Sequence, residues 1–307
     1  MFLAFTIILT LVLFIVNMFS GGGSPRTTRE IFYGRYYAED AVTSDEDIPN
    51  SRRAIENCVE SGLGIKTEAW LSKDKKVMIS AKKEVEGHED VNINETDSEK
   101  LQELGVFTLT EYIDIIEGQV PLIVEIKSGD DNEVTCRRTA DAITASGYNN
   151  IAVASFQPGI IAWFKSKARN IFRGLISAPS KDFIALSAYE KFMTGNLANN
   201  SVCRPQFVLY RNKKESALAK FAMSLGLIKG TWTAASLRAG KELEQTKDMI
   251  VFRGFMPETP QFKVLAAREK TQIELDAERK AEARMERRFA KMQYKAERKA
   301  EKEQKKK

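Results

Sequence analysis

The chain has 307 residues, 43% of them hydrophobic, and a formal net charge of +5. A single α/β barrel commonly takes about 200–250 residues, so one large domain with appendages is expected. Three cysteines, Cys58, Cys136 and Cys203, are too few and too widely spaced for a disulfide framework or a zinc site. Residues 268–307 carry 15 Lys/Arg against 9 Asp/Glu, a surplus of 6 that leaves −1 for the remainder. The basicity belongs to a tail, and nucleic acid is not an expected partner of the folded domain.

In chain order, Phe2–Phe19 (FLAFTIILTLVLFIVNMF) is an uncharged apolar run of 18 residues, and about 20 such residues span a bilayer. We expect a transmembrane helix over residues 1–20. A cleaved signal peptide is the rival, but no basic segment precedes the run and no small-x-small site precedes Gly21. Arg26, Arg29 and Arg35 all follow the run, which puts the next domain in the cytoplasm of a single-pass protein of the cell membrane. Residues 21–29 begin Gly21-Gly22-Gly23-Ser24-Pro25 and read as a flexible linker.

Residues 30–262 alternate β-branched or aromatic runs with helical stretches, the pattern of βα units. The expected strands are Ile31–Arg35, Ile65–Leu71, Val77–Ser80, Leu122–Lys127, Ile151–Phe156, Ile171–Ile176, Phe207–Tyr210, Ile228–Thr233 and Met249–Arg253. The expected helices are Arg52–Glu60, Leu109–Ile116, Glu133–Ala145, Ile160–Ala168, Ser216–Ser224 and Ala235–Gln245. About eight such units favour a closed TIM (β/α)8 barrel. No glycine-rich dinucleotide fingerprint follows the first strand. Leu71 and Val77 are too close for a parallel crossover and must form a hairpin. Centred on Asp74-Lys75, it sets Ala81 opposite Glu68 and Lys82 opposite Thr67. Residues 263–307 read as a charged, basic helical tail, without Gly or Pro from Arg268 onward. Its Lys/Arg-dense end suits anionic lipid.

Several ordered stretches carry a resemblance. GLGIKTEAWLSKD (Gly62–Asp74), VPLIVEIKSG (Val120–Gly129), VASFQPGIIAWFKSKARNIFRGLIS (Val153–Ser177), CRPQFVLYR, TWTAAS and DMIVFRGFMPE follow one another in order along the chain. Together they resemble the glycerophosphodiester phosphodiesterases, of the phospholipase-C-like barrel type. That resemblance implies hydrolysis of glycerophosphodiesters to glycerol 3-phosphate and an alcohol, with a divalent metal such as Mg²⁺ or Ca²⁺.

The departures fall on the chemistry. The family's two catalytic histidines, matched through FYGRYY and VMISAKK, become Gly34 and Ala81. Lys66 replaces the first carboxylate of the Glu-x-Asp metal motif and Glu68 the second, leaving Glu68 and Glu125 as the retained metal carboxylates. The chain has one histidine, His88, in a polar stretch read as an exposed loop, so an acid/base mechanism with two histidines is excluded. Arg35, Lys66, Lys82 and Lys127 are expected to present positive charge at the mouth to a phosphate or headgroup, with Trp232, which matches the family's tryptophan, as an apolar wall. The expectation is a membrane-held pseudoenzyme, without a bound metal, that binds a glycerophosphodiester, a lipid headgroup or a protein partner. The alternatives are an active phosphoric diester hydrolase with a rearranged site, and a structural membrane scaffold.

Overall fold

The computed structural model describes residues 2–266. Its strands are β1 (Arg35–Glu39), β2 (Gly64–Leu71), β3 (Val77–Ile79), β4 (Glu84–Val85), β5 (His88–Asn92), β6 (Leu122–Ile126), β7 (Ile151–Ser155), β8 (Phe172–Ser177), β9 (Phe207–Arg211), β10 (Ile228–Ala234) and β11 (Met249–Phe252). The helices are α1 (Phe2–Phe19), α2 (Arg26–Phe32), α3 (Arg52–Glu60), α4 (Ser98–Glu103), α5 (Leu109–Ile116), α6 (Asn132–Ser146), α7 (Pro158–Lys167), α8 (Ala188–Gly195), α9 (Asn200–Cys203), α10 (Ala217–Ser224) and α11 (Leu237–Glu244). Strands β1, β2 and β6 to β11 pair in parallel, and the ring closes where β1 pairs with both β11 and β2. This is the eight-stranded parallel barrel that the alternating pattern predicts.

Capping chemistry explains why several helices start where the sequence suggests. Ser51 accepts from the Ala54 N–H at the head of α3, and Thr108 and Glu111 form a reciprocal capping box at the head of α5. The apolar faces of these helices, including Ile55, Cys58, Tyr112 and Ile113, pack on the outer face of the sheet, with Ile65, Val124 and Val153 beneath them. The alternate strand positions point into the barrel. At its base, where the parallel strands begin, Tyr37, Ile123, Phe172, Phe207, Ile228 and Met249 fill the interior. Phe32 closes that base, its ring stacked on Phe172 at 4.7 Å, and Phe172 on Phe207 at 5.1 Å.

That plug corrects the expected first strand. Residues Ile31 and Phe32 lie in α2, and β1 begins only at Arg35. The aromatic, β-branched run looked like a strand, but burying Phe32 under the barrel gives it a tertiary reason to be helical that local preference does not carry. The β2–β3 hairpin is also one residue out from expectation. Leu71 pairs with Val77 and Ser72 with Lys76, so Ser80 and Ala81, not Ala81 and Lys82, lie across from Glu68 and Thr67. The cause is a three-residue loop with Lys75 in the left-handed region at φ 67°.

The segment read as a flexible linker is packed. Gly22 N–H donates to Pro205 O at 2.7 Å, and Gln206 Nε2 donates to Gly23 O at 2.9 Å. A Cβ on Gly21 or Gly22 would stand 2.6 Å from the carbonyl oxygen of Pro205 or Arg204 respectively. These glycines serve close backbone approach rather than freedom. Upstream, α1 has 18 residues, about 27 Å at 1.5 Å per residue, short of a hydrocarbon core of about 30 Å. Among the described residues no helix is long and apolar enough to cross a membrane. The basic tail expected over 263–307 lies, from residue 267, outside the described residues.

Candidate functional site

The mouth of the barrel, at the C-terminal ends of the strands, holds a cluster of buried charge. In β2 the side chains of Lys66 and Glu68 share the inward face because strand side chains repeat every two residues. Parallel pairing sets Glu39 of β1 beside Lys66, and Glu125 of β6 beside Glu68. The Lys66 ammonium, on a residue only 4% exposed, lies 2.6 Å from Glu125, 3.4 Å from Glu68 and 3.5 Å from Glu39. Lys127, one step beyond β6, reaches Glu125 at 3.0 Å and Glu68 at 3.2 Å. Thr233 Oγ1 donates to the other oxygen of Glu39 at 2.9 Å.

The electrostatics follow from this packing. Burial works against the charge on Lys66, but Glu125 first, then Glu39 and Glu68, outweigh it and hold the ammonium above the usual lysine range. Burial likewise works against the charge on Glu125; there Lys66 and Lys127 prevail and hold its carboxyl below the usual range. At Glu68 burial, reinforced by repulsion from Glu125, pushes the carboxyl up despite Lys66 and Lys127. Next to Glu39, Asp40 pairs with Arg253 at 3.1 Å and accepts from Asn50 at 3.4 Å. Burial raises its carboxyl to about 6.

The residues singled out from sequence divide into two groups. Lys66, Glu68, Glu125 and Lys127 converge. Arg35 does not: it opens β1 at the base of the barrel, pairing with Met249 and bridging to Gln261. Gly34 precedes it there, at φ 69°, so neither stands where barrel chemistry is placed. The four-residue displacement of β1 moves the whole FYGRYY motif from mouth to base. The residue at the mouth end of β1 is Glu39, followed by Asp40, and these two were missed. A strand that has to end level with Lys66 is the signal that would have found them. Ala81 lines a small cavity with Asn50 and Val85. Lys82 is exposed and reaches Glu86 at 3.5 Å, apart from the cluster. His88 is exposed, but on a β4–β5 hairpin rather than in a loop.

Whether Mg²⁺ or Ca²⁺ fits can be judged from the donors. Glu39, Glu68 and Glu125 supply the oxygens a hard cation needs, but the Lys66 ammonium occupies their common centre and would repel it. Among the described residues no group of three or more His, Cys, Asp or Glu is placed to hold a metal ion. The residues do not fit a divalent cation with Lys66 in this position.

Beside the cluster a cavity of about 590 Å³ opens over the ends of β7 to β10, lined by Phe156, Phe183, Tyr189, Met193, Arg211 and Trp232. Trp232 donates through Nε1 to Ser177 O at 3.1 Å, its ring meets Phe156 edge-on at 5.6 Å, and the Arg211 guanidinium lies over it at 5.6 Å. Arg211 pairs with Asp182 at 3.1 Å. Because Thr233 follows Trp232 and bonds Glu39, cavity and charge cluster share one wall.

No protein-family model matches the chain, and no curated protein does. Solved structures do. A glycerophosphodiester phosphodiesterase from Parabacteroides distasonis matches at TM-score 0.55 and 16% identity, over 71% of this chain and 93% of that one. An Oleispira antarctica phosphodiesterase in complex with its product sn-glycerol-3-phosphate matches at 0.56 and 16%, over 72% and 93%. A Thermotoga maritima glycerophosphodiester phosphodiesterase matches at 0.52 and 18%, over 71% and 93%. The resemblance carried by the sequence motifs and the fold thus point to the same family, and at these identities the likeness establishes the fold.

Proposed function

We propose that this chain, built on the glycerophosphodiester phosphodiesterase barrel, is a membrane-held binding protein that has given up metal-dependent hydrolysis. The observation that carries this is the Lys66 ammonium at the centre of Glu39, Glu68 and Glu125. It does electrostatically what a divalent cation would do, keeping the carboxylates together, but offers no Lewis acid and no activated water. The ligand is a glycerophosphodiester or the equivalent headgroup, received against Trp232. Lys127, the cluster cation that reaches solvent, and Arg211 meet its phosphate; a guanidinium suits bidentate phosphate contact. α1 is the anchor: it is uncharged, and Phe5, Ile8, Leu13 and Phe14 are all at least 60% exposed, which suits a helix surrounded by lipid. The few ångströms it lacks fall within what a bilayer absorbs by thinning.

One observation favours a second reading, an active hydrolase with a rearranged site. Asp40, raised to about 6 and adjoining Glu39 at the mouth, has the protonation range of a general acid or base. A coupled assay for glycerol 3-phosphate release, with and without Mg²⁺ or Ca²⁺, separates the two. We expect calorimetric binding of a soluble glycerophosphodiester, weakened by Arg211→Ala, and no release. Metal-dependent release that disappears in Glu125→Ala would overturn the first reading, as would a failure to bind.

A further inference from the structure

We infer that the barrel sits base-down on an anionic bilayer with its mouth turned to water, so that its ligand is a free, water-soluble phosphodiester rather than a headgroup of the membrane that holds α1. This rests on reading α1 as the anchor.

The joint between α1 and the barrel is built, not slack. Phe19, 2% exposed, enters the outer core and meets Phe221 edge-on at 5.8 Å. Asn200, fully buried, donates to Phe19 O at 2.8 Å. Arg204 donates to Ser20 O at 3.0 Å and to Asn17 O at 3.1 Å, and also bonds the Asn17 side chain. The hydrogen bonds of Gly22 and Gly23 continue the seam, and Arg29 closes it on Gly226 O at 2.8 Å. A helix held at this many points cannot swing freely on a glycine hinge.

The place of the joint sets the orientation. Asn200, Arg204 and Gly226 lie just before β9 and β10, at the base. The same sector gathers Arg29, Lys167, Arg169 and Arg204, with Glu30 paired to Arg26 at 2.7 Å. It also exposes Val202 and Phe221. Basic and apolar groups around the exit of an apolar helix complement an anionic lipid surface. The mouth lies beyond the strands: the five residues of β9 rise about 16 Å at about 3.3 Å each, or about 13 Å along the barrel axis at a tilt of about 36°. That exceeds a Debye length of about 10 Å at 0.1 M salt.

Because Cys58, Cys136 and Cys203 are buried, introduced cysteines can be labelled selectively. Asn170→Cys marks the base and Lys214→Cys the mouth. Each full-length variant carries a fluorophore and is reconstituted into phosphatidylglycerol-containing vesicles with a contact quencher on the lipid headgroup. The expected result is loss of most base emission with no loss at the mouth. The contrast should collapse in Gly22→Val, or in Arg204→Ala should the valine variant not fold. Equal quenching of both labels on vesicle-bound protein refutes the orientation and leaves the anchor standing. Protein that does not stay with the vesicles refutes both.

Discussion

Replacing Lys66 by methionine keeps the unbranched aliphatic stem, one atom shorter, and removes its charge, leaving Glu39, Glu68 and Glu125 facing one another with only Lys127 to compensate. Three carboxylate oxygens within 3.5 Å of the ammonium lose their partner. Removing one side of a buried ion pair costs about 3–5 kcal/mol, because the other side stays buried and charged. For a domain of this size each kcal/mol lowers the melting temperature by about 2–4 °C, so Lys66→Met should melt roughly 6–20 °C below the parent. The same vacancy creates an oxygen cage. Calcium or magnesium should therefore recover a large part of the loss in the variant while leaving the parent melt unchanged. Differential scanning calorimetry of the two proteins, each with and without Ca²⁺, reads both effects. If the variant melts with the parent, or the parent gains as much from Ca²⁺ as the variant does, the ammonium is not holding the carboxylates together and the reasoning fails.

Other outcomes follow from the neighbouring groups. Asp40 moves from 3.8 to about 6 on folding through burial, so the folded chain holds its proton more tightly than the unfolded one. Its contribution is full below about pH 4 and is lost as pH rises through about 6, by about 3 kcal/mol at 1.36 kcal/mol per unit. Denaturant unfolding across that window should show the decline, and Asp40→Asn should flatten it; an unchanged slope would place the titration elsewhere. Glu125 has the opposite sign: its folded value is depressed, so its stabilisation is present above the ordinary carboxylate range and disappears as pH falls through the lower folded value. Glu125→Gln should make the acid limb of the same profile shallower. Gly22→Val forces a side chain against the Arg204 carbonyl and should lower stability by about 1–3 kcal/mol, the range for overpacking. Hydrogen exchange should rise at the Gly22 amide, whose bond to Pro205 O is broken.

Much of the barrel was legible because its signals are local. The Ser51 and Thr108 caps mark the starts of α3 and α5, and Arg52–Glu60 and Leu109–Ile116 stand as expected. The heart of the cluster was legible for a similar reason: Lys66 and Glu68 are two apart on one strand, and Glu125 belongs to the next parallel strand. What escaped depends on tertiary packing. Nothing in Ile31–Arg35 announces that Phe32 must plug a base built from Phe172 and Phe207, and without that plug β1 is placed four residues early. Arg35 is then credited with the mouth that belongs to Glu39. Lys75 in the left-handed region shifts the hairpin by one residue, and a non-glycine residue there gives little warning. Composition misled most at Gly21 and Gly22, where glycine means proximity to Pro205 and Arg204 rather than mobility.

The stack of Phe32, Phe172 and Phe207 has a mechanical consequence. The chain leaving α1 reaches β1 only through α2, and Phe32 at the end of α2 is wedged beneath two strands on the far side of the ring from β2. A pull on α1 is taken up by the Asn200 and Arg204 bonds and then by rings bearing on β8 and β9. The load crosses the floor of the barrel before it can strain β1, and Glu39 at the other end of that strand is kept out of its path.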